Sequence, residues 1–344
     1  MRIIITGSCG FVGSHIARSL VKRDHTVVIV DDLSGSEKET VDDIACHKEF
    51  ISCGDYQAMR KLCSEYKFDT LVHLAANARE GASQFQPVSV TERNLGAYIP
   101  VLTAALEYGA NRIILFSSMA TYGKGDLAPP FDEDLPTAPE DVYGVNKEAM
   151  EKITAILSDV HGYTYTILRP HNVAGEGQVL NDRFRNVIAI FMNLIMRGEP
   201  ITIYGDGTQT RAFSYIHDSL PAFIEAIEHT EHVHGTAINV GGMRPITVNQ
   251  LARTVIRAMG APSNYPIVHL PDRPCEVKHA HTTWKKSEGL LNYFEAIGWE
   301  EGIYRMAGWA LRKGPQEWRN TDPLELVNDL TPTPWLEFER QKEV

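Results

Sequence analysis

Residues Thr6-Gly7-Ser8-Cys9-Gly10-Phe11-Val12-Gly13 follow the apolar run Arg2–Thr6 and lead into an amphipathic stretch at residues 13–23. A GxxGxxG turn between a strand and a helix suits close approach. The first glycine makes the tight turn, the second lets backbone approach a pyrophosphate, and the third lets helix pack on strand. The helix N-terminus adds free amides and positive potential for phosphates. The next apolar run, Thr26–Val30, ends in Asp31-Asp32, about twenty residues further on, where a dinucleotide fold needs an acid. A carboxylate there accepts both ribose hydroxyls of NAD and repels the extra phosphate of NADP, and no arginine follows it. The loop therefore predicts an NAD site.

Outward from this turn the pattern repeats. Further strands are predicted at residues 50–53, 70–74, 112–116 and 163–168, with helices at 56–66, 90–108 and 143–160. Pro100 lacks an amide hydrogen and is expected to kink the second of these helices. Continuous apolar strands alternating with helices imply an α/β fold of the Rossmann type, a doubly wound parallel sheet. After about residue 170 the rhythm changes to helices at 185–197, 217–228 and 247–259, with short extended pieces at 201–204, 237–240 and 267–270. The expected organisation is an NAD-binding domain at 1–170. Residues 171–344 form a smaller mixed α/β lobe that binds substrate and returns some segments to the first domain. The tail from Gly314 carries Pro315, Pro323, Pro332 and Pro334 and is expected to wrap the surface.

Composition limits the function classes. The 344 residues carry a formal net charge of −11, which argues against a nucleic-acid partner, since such proteins cluster positive charge to displace counterions. No apolar run approaches the ~20 residues of a membrane span, and MRIII runs directly into the glycine turn, leaving no room for a signal peptide. The five cysteines are odd in number and lack CxxC spacing, so neither a disulfide framework nor a zinc site is expected, and a reducing cytoplasm is the simplest home.

Tyr143-Gly144-Val145-Asn146-Lys147 is a YxxxK motif at a predicted helix start, and four-residue spacing puts both side chains on one face. Free tyrosine, with a pKa of ~10, is a poor base at neutral pH. A neighbouring ammonium favours the phenolate, so the pair can take a proton from a hydroxyl while hydride leaves the same carbon.

The motif does not stand alone. Ser117-Ser118-Met119-Ala120-Thr121-Tyr122-Gly123 follows the strand at 112–116. His73-Leu74-Ala75-Ala76, Asn94, Arg169-Pro170-His171-Asn172, the run GDGTQTRAFSYIHD from Gly205 to Asp218, and Arg273-Pro274 stand in order around it. Together these resemble the extended short-chain dehydrogenase/reductase family over nearly the whole chain, specifically its nucleotide-sugar epimerases and dehydratases of the UDP-glucose 4-epimerase type. The resemblance implies a catalytic triad of Ser118, Tyr143 and Lys147, with Ser118 bonding the reacting hydroxyl. It implies NAD contacts from Gly7, Gly10, Phe11, Val12, Gly13, Asp31, Asp32, Leu33, Ser34, Tyr56, Leu74, Ala75, Ala76 and Pro170. Asp55 would sit at the adenine, Asn94 would hold a turn beside the cofactor, and His171 would lie by the nicotinamide. The nucleotide diphosphate would be held by Asn172, Asn186, Arg211 and Arg273, and Tyr204 would pack on the base. Two arginines suit a diphosphate.

Within the family, the two residues after the catalytic serine or threonine separate the reactions. Dehydratases resemble TDE there, glucuronate decarboxylases keep a glutamate, and 3,5-epimerases carry a cysteine. Met119 and Ala120 handle no protons, so the resemblance implies redox at the carbon beside Tyr143: a 4-epimerase, with a UDP-hexose the leading substrate. An epimerase or reductase at another carbon, or on a CDP-, GDP- or dTDP-sugar, is the nearest rival. A non-catalytic NAD-binding regulator is the alternative from another class.

The chain departs from the family at His171, Ala174 and Cys275, and in the segment 77–83, where Arg79 or Glu80 could read a sugar substituent or simply form an ion pair. The arginine typical of glucuronate 4-epimerases is absent near Val179 and Leu180, which disfavours a uronic acid. His229, His232 and His234, like His279 and His281, lack a completing ligand pattern, so no metal is expected. By family analogy the helices around residues 95–106 and 150–157 pair in a homodimer.

Overall fold

In the computed structural model, which describes residues 1–123, 128–319 and 322–340, seven parallel strands form the central sheet. These are β1 (Arg2–Thr6), β2 (Thr26–Val30), β3 (His47–Glu49), β4 (Thr70–His73), β5 (Arg112–Phe116), β6 (Thr164–His171) and a strand at Thr236–Gly241. Across the sheet the order is Thr236–Gly241, β6, β5, β4, β1, β2, β3. The order reverses between β1 and β4, and in such sheets a crevice opens beyond the carboxyl ends of the strands at that point.

The unbroken apolar strands are explained by burial on both faces. Ile3 and Ile5 pack with Ile29 on one side, while Ile4 packs with Val28 and Val30 on the other. Helices α1 (Phe11–Lys22), α2 (Tyr56–Tyr66), α3 (Pro87–Thr91), α4 (Ala97–Glu107) and α5 (Val142–His161) cover the sheet together with Ile216–Glu228. Helices Val187–Met196, Val248–Ala258 and Trp299–Lys313 enclose a further apolar cluster. Beside them lie a small sheet of Thr210–Ala212 with Pro245–Thr247 and His279–Ala280, and the parallel pair Ile201–Tyr204 and Ile267–Leu270. Thr247 and Gln250 form a capping box that fixes where Val248–Ala258 begins.

Three local expectations are corrected. The third strand is His47–Glu49 rather than 50–53. As an edge strand, it needs only one row of backbone partners, and its ladder ends where Asp31 N–H bonds the Glu49 carbonyl at 3.1 Å. The following Ile51 and Cys53 roof the crevice instead. The helix expected at 90–108 is broken into α3, a π-helical turn at Glu92–Gly96 and α4. The irregularity lies one turn before Pro100, which has no amide hydrogen to return to the Gly96 carbonyl. The proline-bearing tail does more than wrap the surface. Trp335, 2% exposed, stands edge-on to Phe85 and Phe184, and Asp322 is buried among arginines. Glu325 also accepts from the Val88 and Ser89 amides, so the tail is stitched to the start of α3.

All five cysteines are free. Among the described residues, no helix is long and apolar enough to cross a membrane.

Candidate active site

Each strand that borders the crevice ends in a residue the site uses. β1 ends in Gly7, whose N–H bonds the Val30 carbonyl at 2.9 Å while its φ of +68° turns the chain away. A Cβ on Gly7 would lie 2.6 Å from the Ala75 nitrogen, and one on Gly13 would lie 2.4 Å from the Gly7 oxygen. The loop, helix and β4 therefore meet only because these side chains are missing. Gly10 caps α1 without a side chain, leaving the first amides of that helix facing the crevice.

β2 ends in Asp31, which is 8% exposed. It accepts from Cys9 N–H and Leu33 N–H, each at 2.9 Å, and from the Ser36 hydroxyl at 2.8 Å. Burial raises its carboxyl above the ordinary range against these three bonds. Asp32 beside it is open to the crevice. β5 ends in Phe116, whose carbonyl accepts from Lys147 Nζ at 2.8 Å.

Tyr143 and Lys147 lie on the first turns of α5, which starts where Asp141 accepts from Gly144 N–H at 2.7 Å. The Ser118 hydroxyl acts on the Tyr143 phenol, lowering its pKa, and Lys147 Nζ lies 5.8 Å from the Tyr143 ring centre. Burial pushes the tyrosine pKa up and the lysine down to about 8. Both shifts have the same cause, burial that disfavours the charged form of each group. Below them Glu151 accepts two bonds from Arg169, at 2.9 and 2.6 Å, and one from Ser117, while Arg169 also donates to the Tyr122 hydroxyl at 2.8 Å.

The crevice contains two cavities of about 470 and 410 Å³ that share Ala78, Val173, Gln178, Arg185 and Asn186 as walls, so they form two halves of one cleft. Of the residues named from the sequence, Gly7, Gly10, Phe11, Val12, Gly13, Asp31, Asp32, Ser34, Leu74, Ala75, Ala76, Tyr143, Lys147 and Pro170 line the first half. Asn172, Asn186, Tyr204, Arg211 and Arg273 line the second. There Glu276 organises the arginines, 2.9 Å from Arg273 and 3.6 Å from Arg211, and the Arg273 guanidinium lies 4.7 Å from the Tyr204 ring centre.

Other expected residues are not brought to the lining. Asp55 is engaged as the N-cap of α2, accepting from Ala58 N–H at 3.0 Å, and the Tyr56 hydroxyl goes to Glu107 at 3.3 Å. The His171 ring is outside the lining, packed beneath Gly241 with Nδ1 3.1 Å from the Thr282 hydroxyl. Leu33 contributes its amide to Asp31 rather than a wall. Asn94 is buried in the π turn, where its Nδ2 donates to the Val90 and Asn77 carbonyls and ties the loop after β4 to the helix. Ser118 reaches the site through Tyr143 and also accepts from Ala120 N–H at 3.1 Å.

The sequence reading missed Gln178, Asp182, Arg185 and Asp322 on one half, and Arg183, Phe184, Trp318 and Trp335 on the other. Two tryptophans in a short proline-bearing tail were the available signal, because such residues seek burial. Away from the cleft, His229, Glu231 and His232 place ligand atoms within 4.8 Å of one another, all exposed, whereas His234 is engaged by the Tyr165 amide.

The glycine cradle, the helix amides, the acid at the end of β2 and the cavity size all fit NAD. Comparison with known proteins agrees. Residues 3–241 match the model of the NAD dependent epimerase/dehydratase family. A UDP-N-acetyl-alpha-D-glucosaminuronate decarboxylase of Bacillus cytotoxicus is 28% identical over 90% of this chain and 97% of its own. Among solved structures, a UDP-glucose 4-epimerase of Thermotoga maritima with UDP-glucose is similar at a TM-score of 0.84 and 28% identity, covering 91% of this chain and 99% of that one. A UDP-glucose 4-epimerase of Thermus thermophilus in complex with NAD has a TM-score of 0.83 and 26% identity, with 90% and 98% coverage. The chain thus belongs to the NAD-dependent epimerase/dehydratase family of nucleotide-sugar enzymes, with NAD as its cofactor.

Proposed function

We propose that this protein is a nucleotide-sugar 4-epimerase, with a UDP-hexose as substrate. The observation that carries the reading is the turn after Ser118. Met119 packs toward Tyr122 and Phe131, and Ala120 is buried against Val90 and Tyr143. Neither donates or accepts a proton, so this turn adds no acid or base to Tyr143, Ser118 and Lys147 at the reacting carbon.

In this reading Ser118 and Tyr143 hold the sugar 4-hydroxyl, and Tyr143 takes its proton as the phenolate, the form that the Lys147 ammonium favours. Lys147, held by the Phe116 carbonyl, supplies positive charge beside the phenol. The glycine loop and Asp31 would hold NAD, which when bound would supply reversible hydride acceptance at that carbon. The 4-keto sugar would then turn about its diphosphate linkage to present its other face for reduction, and Tyr143 would return the proton to the oxygen. Arg211 and Arg273 fix the diphosphate so that only the sugar moves, and Tyr204 stacks on the base.

Decarboxylation of a uronate, favoured by the Bacillus relative, is the second reading. The homodimer is proposed on Ile99 of α4 and Ile156 and Val160 of α5, which stay exposed at 36%, 61% and 71%. Five unpaired cysteines support a cytoplasmic setting. Tyr143→Phe tests the mechanism: it should retain NAD and UDP binding and lose nearly all epimerisation, whereas near-normal turnover would remove Tyr143 as the base.

A further inference from the structure

The adjacent charges Arg79 and Glu80 do not pair with each other. Arg79, 3% exposed, bonds Asp182 at 3.2 Å and Asp322 at 3.1 Å, and lies 4.9 Å from the Phe184 ring centre. Its guanidinium is structural. Glu80 opens the short turn Glu80–Ala82 and faces the other way, into the half of the cleft that contains the arginines. A Cβ on Gly81 would lie 3.0 Å from Arg273 Nη1, so the turn rests directly against that guanidinium.

The position is defined from three sides. Glu80 feels the charges of Arg211 and Arg273, and its own charge acts on Tyr143 and on Asp141. It lines the same half of the cleft as Asp141, Arg211 and Arg273, and its charge reaches the Tyr143 phenol. Among the described residues it takes no salt bridge, because Glu276 holds both arginines. With a diphosphate on Arg211 and Arg273, Glu80 and Asp141 present two carboxyls to the sugar, across the cleft from Arg185.

We propose that Glu80 is a substrate-reading residue: its carboxylate accepts a hydrogen bond from a hydroxyl or amino group of the sugar and rejects sugars that carry a carboxylate. The proposal rests on the nucleotide-sugar reading above and narrows its substrate class. Acceptance needs a donor on the ligand, and a second carboxylate placed against Glu80 meets like charge.

The test is calorimetric titration of the NAD-loaded Tyr143→Phe protein, which binds without turnover, with UDP, UDP-glucose, UDP-glucosamine and UDP-glucuronate. UDP-glucuronate should bind at least about tenfold more weakly than UDP-glucose. Adding Glu80→Gln should bring the two within about threefold without lowering UDP affinity or melting temperature, a selective change that a merely structural role would not produce. Tighter binding of UDP-glucosamine than UDP-glucose assigns the donor as an amine; equal binding assigns it as a hydroxyl. A discrimination that Glu80→Gln leaves intact, or none in the parent, overturns the proposal while the nucleotide-sugar reading stands. Failure to bind UDP or any UDP-sugar removes that reading, and the proposal with it.

Discussion

Replacing Lys147 by methionine should make the protein more stable and inactive at once. The lysine is 2% exposed, and burial pushes its ammonium from the ordinary 10.5 down to about 8, against an opposing pull from Glu151. That difference corresponds to about 3 kcal/mol against the charged form at neutral pH. The Nζ–H bond to the Phe116 carbonyl, 2.8 Å long, contributes about 1–2 kcal/mol that methionine cannot supply. The balance is a gain on the order of 1–2 kcal/mol for Lys147→Met at pH 7. The pH dependence follows from the same numbers. Between about pH 8 and 10.5 the unfolded chain holds a proton on this lysine that the folded chain has released, so parent stability rises with pH across that window. The variant should lack this contribution. Urea unfolding followed by circular dichroism at pH 7 and pH 9.5, without added nucleotide, measures both effects. A variant clearly less stable than the parent at pH 7, or one with an unchanged pH slope, would refute the reasoning.

Three further perturbations address other parts of the account. Gly7→Ala puts a Cβ 2.6 Å from the Ala75 nitrogen at a φ of +68°, so it should lower the melting temperature and abolish NAD binding in a fluorescence titration; normal binding would contradict the tight contact. Arg79→Ala strips a buried cation from Asp182 and Asp322 and should cost about 3–5 kcal/mol in denaturant unfolding. An unchanged midpoint would mean that Arg93 and Arg185 hold the network without it. Burial beside Glu80 raises Asp141 to about 7, so the folded chain holds a proton there over about pH 4–7 that the unfolded chain has lost, and stability falls as pH rises through that window. Asp141→Asn keeps an acceptor for the α5 cap and should remove that fall, gaining on the order of 1 kcal/mol at pH 8; a loss at pH 8 would show the carboxylate to be net stabilising.

The local backbone chemistry of the cofactor half was legible because each element reports itself in sequence. Glycines at 7, 10 and 13, the acid after Thr26–Val30 and the YxxxK spacing are short-range facts, and one periodic run placed α2 at its observed bounds. What long-range packing decides was not legible. Asp55 has the local chemistry of an N-cap, and nothing near it in sequence says whether its carboxylate faces the helix or the cleft. His171 turns inward because Gly241, seventy residues away on the neighbouring strand, leaves room for the ring. Asp322 and Trp335 reach the cleft by tail contacts with the loop after β4 and with α3, which no periodicity encodes. The different roles of Arg79 and Glu80 arise in the same way, from aspartates more than a hundred residues downstream.

The most direct measurement is incubation of the purified protein, without added cofactor, with a panel of nucleotide sugars and resolution of the products by NMR. The account predicts that one UDP-hexose converts to its C4 epimer until the two reach equilibrium, with no net NADH formed. Decarboxylation, elimination, or inversion at another carbon would contradict the role given to the Met119-Ala120 turn and with it the assignment of a 4-epimerase.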